Sequence, residues 1–350
     1  MTRPNSHPFI AAVVLGVVAF PARALSAEPA PAPGAEPEAV EPKLPRPKGR
    51  ELGGHVFTPV LGMVGPFATT DFGSFMLVGG GSTEGSLTLQ LPGNPFPPPQ
   101  TFTGNVSYAA VGGVLGFEYE FVRDFSARLS ISETIYSGLS GASAAVVGSN
   151  ARLGGDFGIT AGIPIGRSAR IAAVVDVSYV PRFGLLLGPA IESTFQRCSQ
   201  GTTTCKLDLG DLFQRQNVFG VEPGVAASWA PARALGVTGN LSYVYTSIAQ
   251  TNQATSGQGG ISLGAAVDFD FMAISHVPIG LQVNWTSLFA FTGGESGNGY
   301  TDLGLGFFYT GRKDLSLGLQ VVDRRFRVAP DVDVSWTNVI GLIGLRYYWE

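Results

Sequence analysis

Charged residues, cysteines and long apolar segments are all scarce in this sequence. Only 14% of the 350 residues are charged, whereas soluble globular chains carry about 25%. Hydrophobic residues reach 45%, yet no segment has the roughly 18 consecutive apolar residues of a membrane-spanning helix. The composition therefore fits neither an ordinary soluble domain nor a helical membrane protein.

The one continuous apolar run extends from Phe9 to Phe20, after Arg3 and before the small residues that end at Ala27. A basic start, a short apolar centre and a small-residue end are typical of a secretory signal peptide. We therefore predict a signal peptide over residues 1–27, because the run is too short for a membrane anchor.

Residues 28–50 are rich in Pro, Ala and Glu and contain little that could be buried. This composition predicts an extended periplasmic linker, and residues 51–350 form the third predicted region. The net charge of the chain is −4. A mildly acidic chain is unfavourable for binding nucleic acid, so no nucleic-acid partner is expected.

Apolar and polar residues alternate with a period of two through residues 51–350, and glycine is abundant, with 48 residues in the chain. Such alternation predicts β-strands with one apolar face. The clearest hairpin joins residues 107–121 to residues 125–136 through a turn at 122–124. A soluble sandwich would show the same alternation with its apolar face inside.

The register of this hairpin follows from its apolar rows. It places Phe121 opposite Phe125 and Glu118 opposite Arg128. Because residues directly opposite each other on one face interact, we expect an ion pair between Glu118 and Arg128.

The same two-segment unit recurs four times, each time around a short turn. The predicted segment pairs are 152–163 with 169–181, 216–229 with 234–246, 261–271 with 277–291, and 300–310 with 315–322. The connections on the other side are longer, at 80–105, 137–149, 183–215, 247–258, 292–299 and 327–334. Short turns on one side and long loops on the other are typical of transmembrane β-barrels.

Adding one strand at residues 72–78 and a closing strand at 335–350 gives about twelve strands, with ten or fourteen as alternatives. Fourteen would require that residues 52–70 and 83–91 are also strands. Residues 52–70 contain Pro59 and Pro66, and they are either a first strand or a segment inside the barrel mouth.

Aromatic residues cluster at both ends of the predicted strands, which is where the two water–lipid interfaces of a membrane barrel would lie. A soluble core would place them in mid-strand instead. The residues beside short turns are Tyr119, Phe121, Phe125, Trp229, Phe269, Phe271, Phe307, Tyr309, Tyr347 and Trp349, and those at the opposite ends are Tyr243, Tyr245, Phe289 and Phe291. We therefore predict an all-β fold, a transmembrane antiparallel β-barrel in contact with the lipid bilayer.

The last segment has one apolar row that ends in aromatic residues. Its members are Val339, Gly341, Ile343, Leu345, Tyr347 and Trp349. This row resembles the C-terminal signal of Gram-negative outer-membrane β-barrel proteins, although here Glu350 follows the last aromatic residue. The resemblance implies an outer-membrane location and recognition of Tyr347 and Trp349 by the barrel-assembly machinery.

Histidine is too scarce and too badly placed for the chemistry of the enzymatic barrels. Of His7, His55 and His276, none lies at an external strand end beside a Ser or Asp. The chain thus lacks the His–Ser–Asn set of outer-membrane phospholipases and the His–Asp pair of omptin proteases, and a nucleophilic Ser needs such a base. No metal-ligand spacing or phosphate loop occurs either. We therefore expect neither catalysis nor a cofactor.

The inward row predicted by the alternation is polar and has more acids than bases. Its candidate residues are Glu118, Glu120, Arg128, Arg152, Asp156, Arg170, Asp176, Glu222, Asp268, Asp270, Asp302, Arg324 and Arg346. The excess of carboxylates predicts a narrow channel for small ions or solutes with a weak preference for cations. The alternative is a paired polar network that fills the barrel without transport.

The longest connection, residues 183–215, is unusually apolar for an external loop. Its apolar residues include Leu185, Leu186, Leu187, Ile191 and Phe195. An apolar entry site of this kind resembles that of the long-chain fatty-acid channel family. Proteins of that family have an N-terminal hatch, and only residues 52–70 could supply one here. The alternative is a loop that folds over the barrel as a constriction.

Cys198 and Cys205, the only two cysteines, are predicted to form a disulfide, since exported proteins oxidise such close pairs. The short ring would contribute roughly 2.5 kcal/mol. We expect neither thiol to react with a maleimide in the unfolded, unreduced protein and both to react after reduction. Labelling without reductant would contradict the pairing.

Overall fold

The computed structural model describes residues 49–60, 62–89, 100–139, 149–185, 213–250, 256–291, 299–329 and 332–349. The predicted signal peptide, nearly all of the predicted linker, and Cys198 with Cys205 lie outside the described residues. The apolar loop residues between 186 and 212 lie outside them as well.

Twelve long antiparallel strands form one closed barrel, as the alternation predicted. Two short strands, β1 (Glu51–Leu52) and β2 (His55–Val56), pair only with each other. The barrel strands are β3 (Thr70–Leu89), β4 (Gln100–Val122), β5 (Phe125–Gly138), β6 (Ser149–Ile165), β7 (Ala169–Leu185), β8 (Phe213–Ala232), β9 (Leu235–Gln250), β10 (Ser256–Asp270), β11 (Ile279–Phe291), β12 (Gly299–Tyr309), β13 (Leu315–Ala329) and β14 (Val332–Trp349).

The barrel closes where β14 pairs with β3, from Trp349 opposite Thr70 to Thr337 opposite Ser82. Residues 83–89 continue β3 and pair with the start of β4, so they are not a separate strand. The segment before β3 contributes no strand to the wall. These two facts settle the count at twelve rather than fourteen.

The outward face of the described wall is apolar and the inward face is polar. In β14 the outward residues Val339, Ile343 and Leu345 are exposed, whereas the alternate residues Asn338 and Leu342 are buried inside. Apolar side chains facing out around a closed sheet are stable in lipid rather than in water. The architecture is therefore that of a transmembrane β-barrel.

Exposed aromatic residues mark two levels on the outer surface. Phe121, Phe125, Trp229 and Trp349 lie beside the short turns, and Tyr243 and Phe289 lie toward the other end. Charged outward residues first occur at that other level, where Glu133 lies on β5 and Arg325 pairs with Asp323 on β13. The apolar band therefore ends there, about eight residues above the turns, which is close to the roughly 25 Å band of such barrels.

Several strands continue beyond the apolar band, so two predicted loops are shorter than expected. The predicted loop at 80–105 is largely strand, because β3 and β4 stay paired to Leu89 and Gln100. The predicted connection at 327–334 reduces to residues 330 and 331 between β13 and β14. Alternation revealed only the lipid-facing part, since backbone pairing above the membrane needs no apolar row.

The predicted β4–β5 register is right in the wall and wrong at the turn. Glu118 does lie opposite Arg128, but a bulge between Glu120 and Val122 places Val122 opposite Phe125. Phe121 is the extra residue of this bulge. The expected ion pair does not form either, because Glu118 accepts a hydrogen bond from Ser126 (2.5 Å) and Arg128 pairs with Asp176.

The one described helix is the single turn α1 (Met272–Ser275), which belongs to the connection between β10 and β11. Among the described residues no helix is long and apolar enough to cross a membrane.

The closing strand provides a test of assembly. Tyr347 and Trp349 lie on its outward face with ring centroids 5.3 Å apart, and Trp349 also contacts Phe117 of β4. We expect Tyr347→Ala with Trp349→Ala to lower the amount of heat-modifiable barrel in outer-membrane fractions severalfold. Leu342→Ala, on the inward face of the same strand, is the control. Normal surface levels of the double variant would contradict the role of the aromatic pair.

Candidate functional site: the plugged lumen

The segment before β3 lies inside the barrel at the end that carries the short turns. We call residues 49–60 and 62–69 the plug. Its first part is the β1–β2 hairpin, in which Leu52 lies opposite His55. Gly53 and Gly54 turn the chain with φ of 57° and 85°, values that side-chain-bearing residues rarely adopt. Sequence analysis left this position open, and the structure places the segment within the lumen.

Backbone groups of the short turns hold the plug from three sides. Gly53 donates its N–H to Arg167 O (2.9 Å), and His55 Nδ1 lies 3.1 Å from Arg233 O. Arg50 donates to Lys313 O (2.9 Å) and to Phe57 O. Its guanidinium also lies 4.2 Å from the ring centroid of Tyr348. These turns lie around the rim, so the plug spans the mouth.

Apolar side chains of the plug pack against inward-facing small residues. Leu52 and Phe57 form a buried cluster with Ala230 of β8, and Phe67 packs against it. Val64 packs on a second cluster formed by Ala172, Val174 and Ala226. Burial of apolar surface stabilises a structure by about 25 cal/mol per Å². These contacts therefore hold the plug against the inner wall.

A polar triad fastens the plug to the opposite wall. Thr58 Oγ1 donates to Asp268 Oδ1 (2.5 Å), and Gln282 Nε2 donates to both Thr58 Oγ1 (2.8 Å) and Asp268 Oδ1 (2.6 Å). Asp268 is 2% exposed and Gln282 is fully buried. Asp268, predicted as a residue that lines an open lumen, is therefore covered by the plug.

Gly236 shows how closely the plug and the wall approach each other. A Cβ at this position would lie 2.5 Å from the His55 ring and 2.7 Å from the Phe57 ring. Only glycine leaves this space on β9, so Gly236 provides room for the plug rather than for an open pore.

Three other predicted residues lie at the rim. Glu120 accepts the Asp124 N–H (2.8 Å) and Asp270 accepts the Met272 N–H (3.0 Å), so each stabilises a turn. Arg170 donates to Pro66 O (2.8 Å) and pairs with Asp124, which ties the end of the plug to the rim.

The remaining predicted residues face the lumen. Asp302 and Arg324 form a two-point ion pair (2.6 and 2.7 Å), Arg346 lies 3.5 Å from Asp71, and Arg152 stacks on Tyr136. Arg128, Asp156, Asp176 and Glu222 share one cavity of about 290 Å³, the outer cavity. The structure thus brings together four predicted residues, one from each of β5 to β8, in the outer cavity. It separates these four residues from Asp268 and Asp302.

Sequence reasoning missed a set of buried amides and Asp71. Gln282, Asn284 and Gln320 are at most 2% exposed, and Gln320 Nε2 donates to Asn284 Oδ1 (2.5 Å). They fill the lumen on the side of β11 to β13. A search of the inward rows for uncharged amides, and not only for charges, would have found them.

Two further cavities follow the other side of the plug. The central cavity, about 100 Å³, lies between plug residues such as Thr58 and Met63 and wall residues such as Glu118 and Arg128. The mouth cavity, about 440 Å³, is lined by Arg50, Thr69, Glu120, Tyr348 and Trp349, among others. Within the described ranges no three His, Cys, Asp or Glu side chains converge as a metal site.

No protein-family model matches the chain, and no curated protein sequence does. Similar solved structures are the Pseudomonas putida toluene transporter TodX (10% identity, 80% of this chain and 89% of that one, TM-score 0.41) and the translocator domain of the autotransporter NalP from Neisseria meningitidis (10%, 80% and 89%, 0.45). A third is the KdgM porin (8%, 78% and 99%, 0.36). At these scores the likeness carries no argument about function. The closed ladder and the apolar outer face define the chain as a β-barrel of the outer-membrane type, plugged by its own N-terminal segment.

Docking of the plug is expected to depend on pH through His55. Burial lowers the pKa of His55 below its ordinary value of 6.5, because a charged ring is poorly solvated there. The released segment therefore binds a proton more readily than the docked one. Docking is at full strength above pH 6.5 and weakens as the pH falls below that value.

Thiol labelling can measure this dependence. In a chain with Cys198 and Cys205 replaced by Ser, we expect Met63→Cys to be labelled faster below pH 6.5 relative to Arg312→Cys, an exposed turn position. The additional change His55→Phe should make the ratio of the two labelling rates independent of pH. A ratio that is constant with pH in the presence of His55 would contradict this prediction.

Proposed function

We propose that this protein is an outer-membrane channel for small hydrophilic solutes, closed by its own N-terminal plug. The observation that carries the proposal is a polar lumen blocked by a segment that only noncovalent contacts hold. A barrel of this size lies between those filled by side chains and those with wide aqueous channels. Removal of the plug from such a lumen leaves an aqueous passage.

The polar lining favours hydrophilic solutes over apolar ones. The buried inward residues of the described wall include Thr160, Ser228, Thr238, Ser242 and Asn284. An apolar molecule would leave their hydrogen-bonding groups unpaired, which costs free energy. The fatty-acid-type alternative depended on apolar loop residues, most of which lie outside the described ranges, and on residues 52–70 as a hatch. The plug occupies the position of such a hatch, but the polar wall beside it does not favour an apolar substrate.

The outer cavity supports a weak preference for cations. Three carboxylates, Asp156, Asp176 and Glu222, line it against one guanidinium, Arg128. Carboxylates in a narrow space with low-dielectric walls raise the local concentration of cations. Catalysis is not part of this proposal, and the ring of His55 packs against Phe57 and Gly236.

Single-channel recording in planar bilayers tests the gating directly. We compare the chain that starts at residue 28 with one that starts at residue 70 and therefore lacks linker and plug. The shorter chain should conduct manyfold more, because β3 begins at Thr70 and the wall stays complete. Its reversal potential in a KCl gradient should favour cations, and Asp176→Asn with Glu222→Gln should reduce that preference.

A chain that starts at residue 49 is the matched control, since it lacks the linker and keeps the plug. It should conduct as little as the chain that starts at residue 28. The proposed channel would be contradicted if the chain that starts at residue 70 migrates as a folded, heat-modifiable barrel but stays silent in the bilayer. That outcome would favour a structural or surface-display barrel.

A further inference from the structure

Six ionisable residues and one glycine occupy one register across seven neighbouring strands. Successive Cα partners run from Tyr348 to Asp71 and Glu118, then through Arg128 and Gly158 to Asp176 and Glu222. We call this set the charged row. Barrel strands are tilted, so a row perpendicular to them climbs the wall. It begins beside the last residue of β14 and reaches Glu222 in the middle of β8.

The three cavities follow the charged row past the plug. Arg128 lines both the outer and the central cavity. Arg50, Thr69 and Tyr348 line both the central and the mouth cavity. The spaces therefore adjoin at these two places, along the side of the lumen that the buried amides do not fill.

A buried N–H donor of the plug faces the central and the mouth cavity. Arg50 is 9% exposed, and its Nε makes no hydrogen bond within the described part of the chain. Buried N–H groups are nearly always paired with protein or ordered water. Because Arg50 lines the central and the mouth cavity, water is the partner that those spaces can supply.

Ion pairing along the row leaves Glu118 and Glu222 without a salt bridge among the described residues. Arg128 pairs with Asp176 by crossing Gly158, where any side chain would collide with both groups. Arg346 lies beside Asp71. Glu118 and Glu222 accept only serine hydrogen bonds, and neither forms an ion pair within the described residues. One faces the central cavity and the other faces the outer cavity, with Arg128 between them.

From this arrangement we infer that the charged row is a conduction route for small monovalent cations past the docked plug, with Glu222 and Glu118 as its two binding stations and Arg128 as the charge barrier between them. The inference rests on the proposed channel function and deepens it. Positive charge between two carboxylate stations opposes the passage of a cation, because like charges in a low-dielectric space repel strongly. The plugged barrel therefore leaks cations slowly.

The test is planar-bilayer recording of the plugged chain in a KCl gradient. Arg128→Gln should raise the small conductance severalfold and move the reversal potential toward that of K⁺. Glu118→Gln and Glu222→Gln should each lower the conductance, and Arg128→Lys should behave as the parent chain. Glu133→Gln and Arg325→Gln, on the outward surface at the edge of the apolar band, are matched controls and should change nothing.

Two comparisons separate the barrier from other effects of the substitution. In the Met63→Cys variant, adding Arg128→Gln should leave the rate of thiol labelling unchanged. In the chain that starts at residue 70, Arg128→Gln should have little effect on conductance. Faster labelling would overturn the barrier role, since the plug itself would have loosened. A silent or unresponsive plugged chain beside a conducting unplugged one would overturn the route alone. Silence of both chains would overturn the proposed channel.

Discussion

The hydrogen-bond seam between β14 and β3 is the constraint on which the rest of the structure depends. In lipid no water can satisfy an open strand edge, and each unpaired backbone group costs several kcal/mol. The seam pairs residues Thr337–Trp349 with Thr70–Ser82 and removes both edges. Closure in turn gives every strand an inward face. The polar residues of that face must then be paired with one another, with water or with the plug.

On one side of the lumen, the plug supplies partners for the inward polar residues. Thr58 joins Asp268 and Gln282 in a single network, and Gly236 lets the rings of His55 and Phe57 approach the wall. On the other side the wall keeps its charges apart from the plug, and cavities remain. One side of the lumen is thus filled by side chains, and the other is lined by charged residues and cavities. A gate and a leak can coexist in such a barrel.

Noncovalent docking also connects stability with function. The contacts that bury Leu52 and Phe57 stabilise the docked plug, and the lowered pKa of the buried His55 imidazole predicts that docking weakens in acid. Neither effect involves the lipid-facing surface, where Tyr347 and Trp349 anchor the closing strand. Insertion of the barrel into the membrane and docking of the plug are therefore expected to depend on different residues.

The sequence by itself indicated about twelve strands, their apolar outer face and the Glu118–Arg128 register, because a period of two and aromatic strand ends are local properties. It also indicated most of the charged residues of β5 to β8 that face inward, although not Arg182 of β7. Only the tertiary structure decided that residues 52–69 fill the lumen, since they carry no periodic pattern and their partners lie more than 100 positions away. It likewise decided that Arg128 reaches Asp176 across Gly158, because barrel curvature brings side chains two strands apart within contact. The upper parts of β3 and β4 needed the structure too, since backbone pairing above the membrane leaves no mark in the alternation.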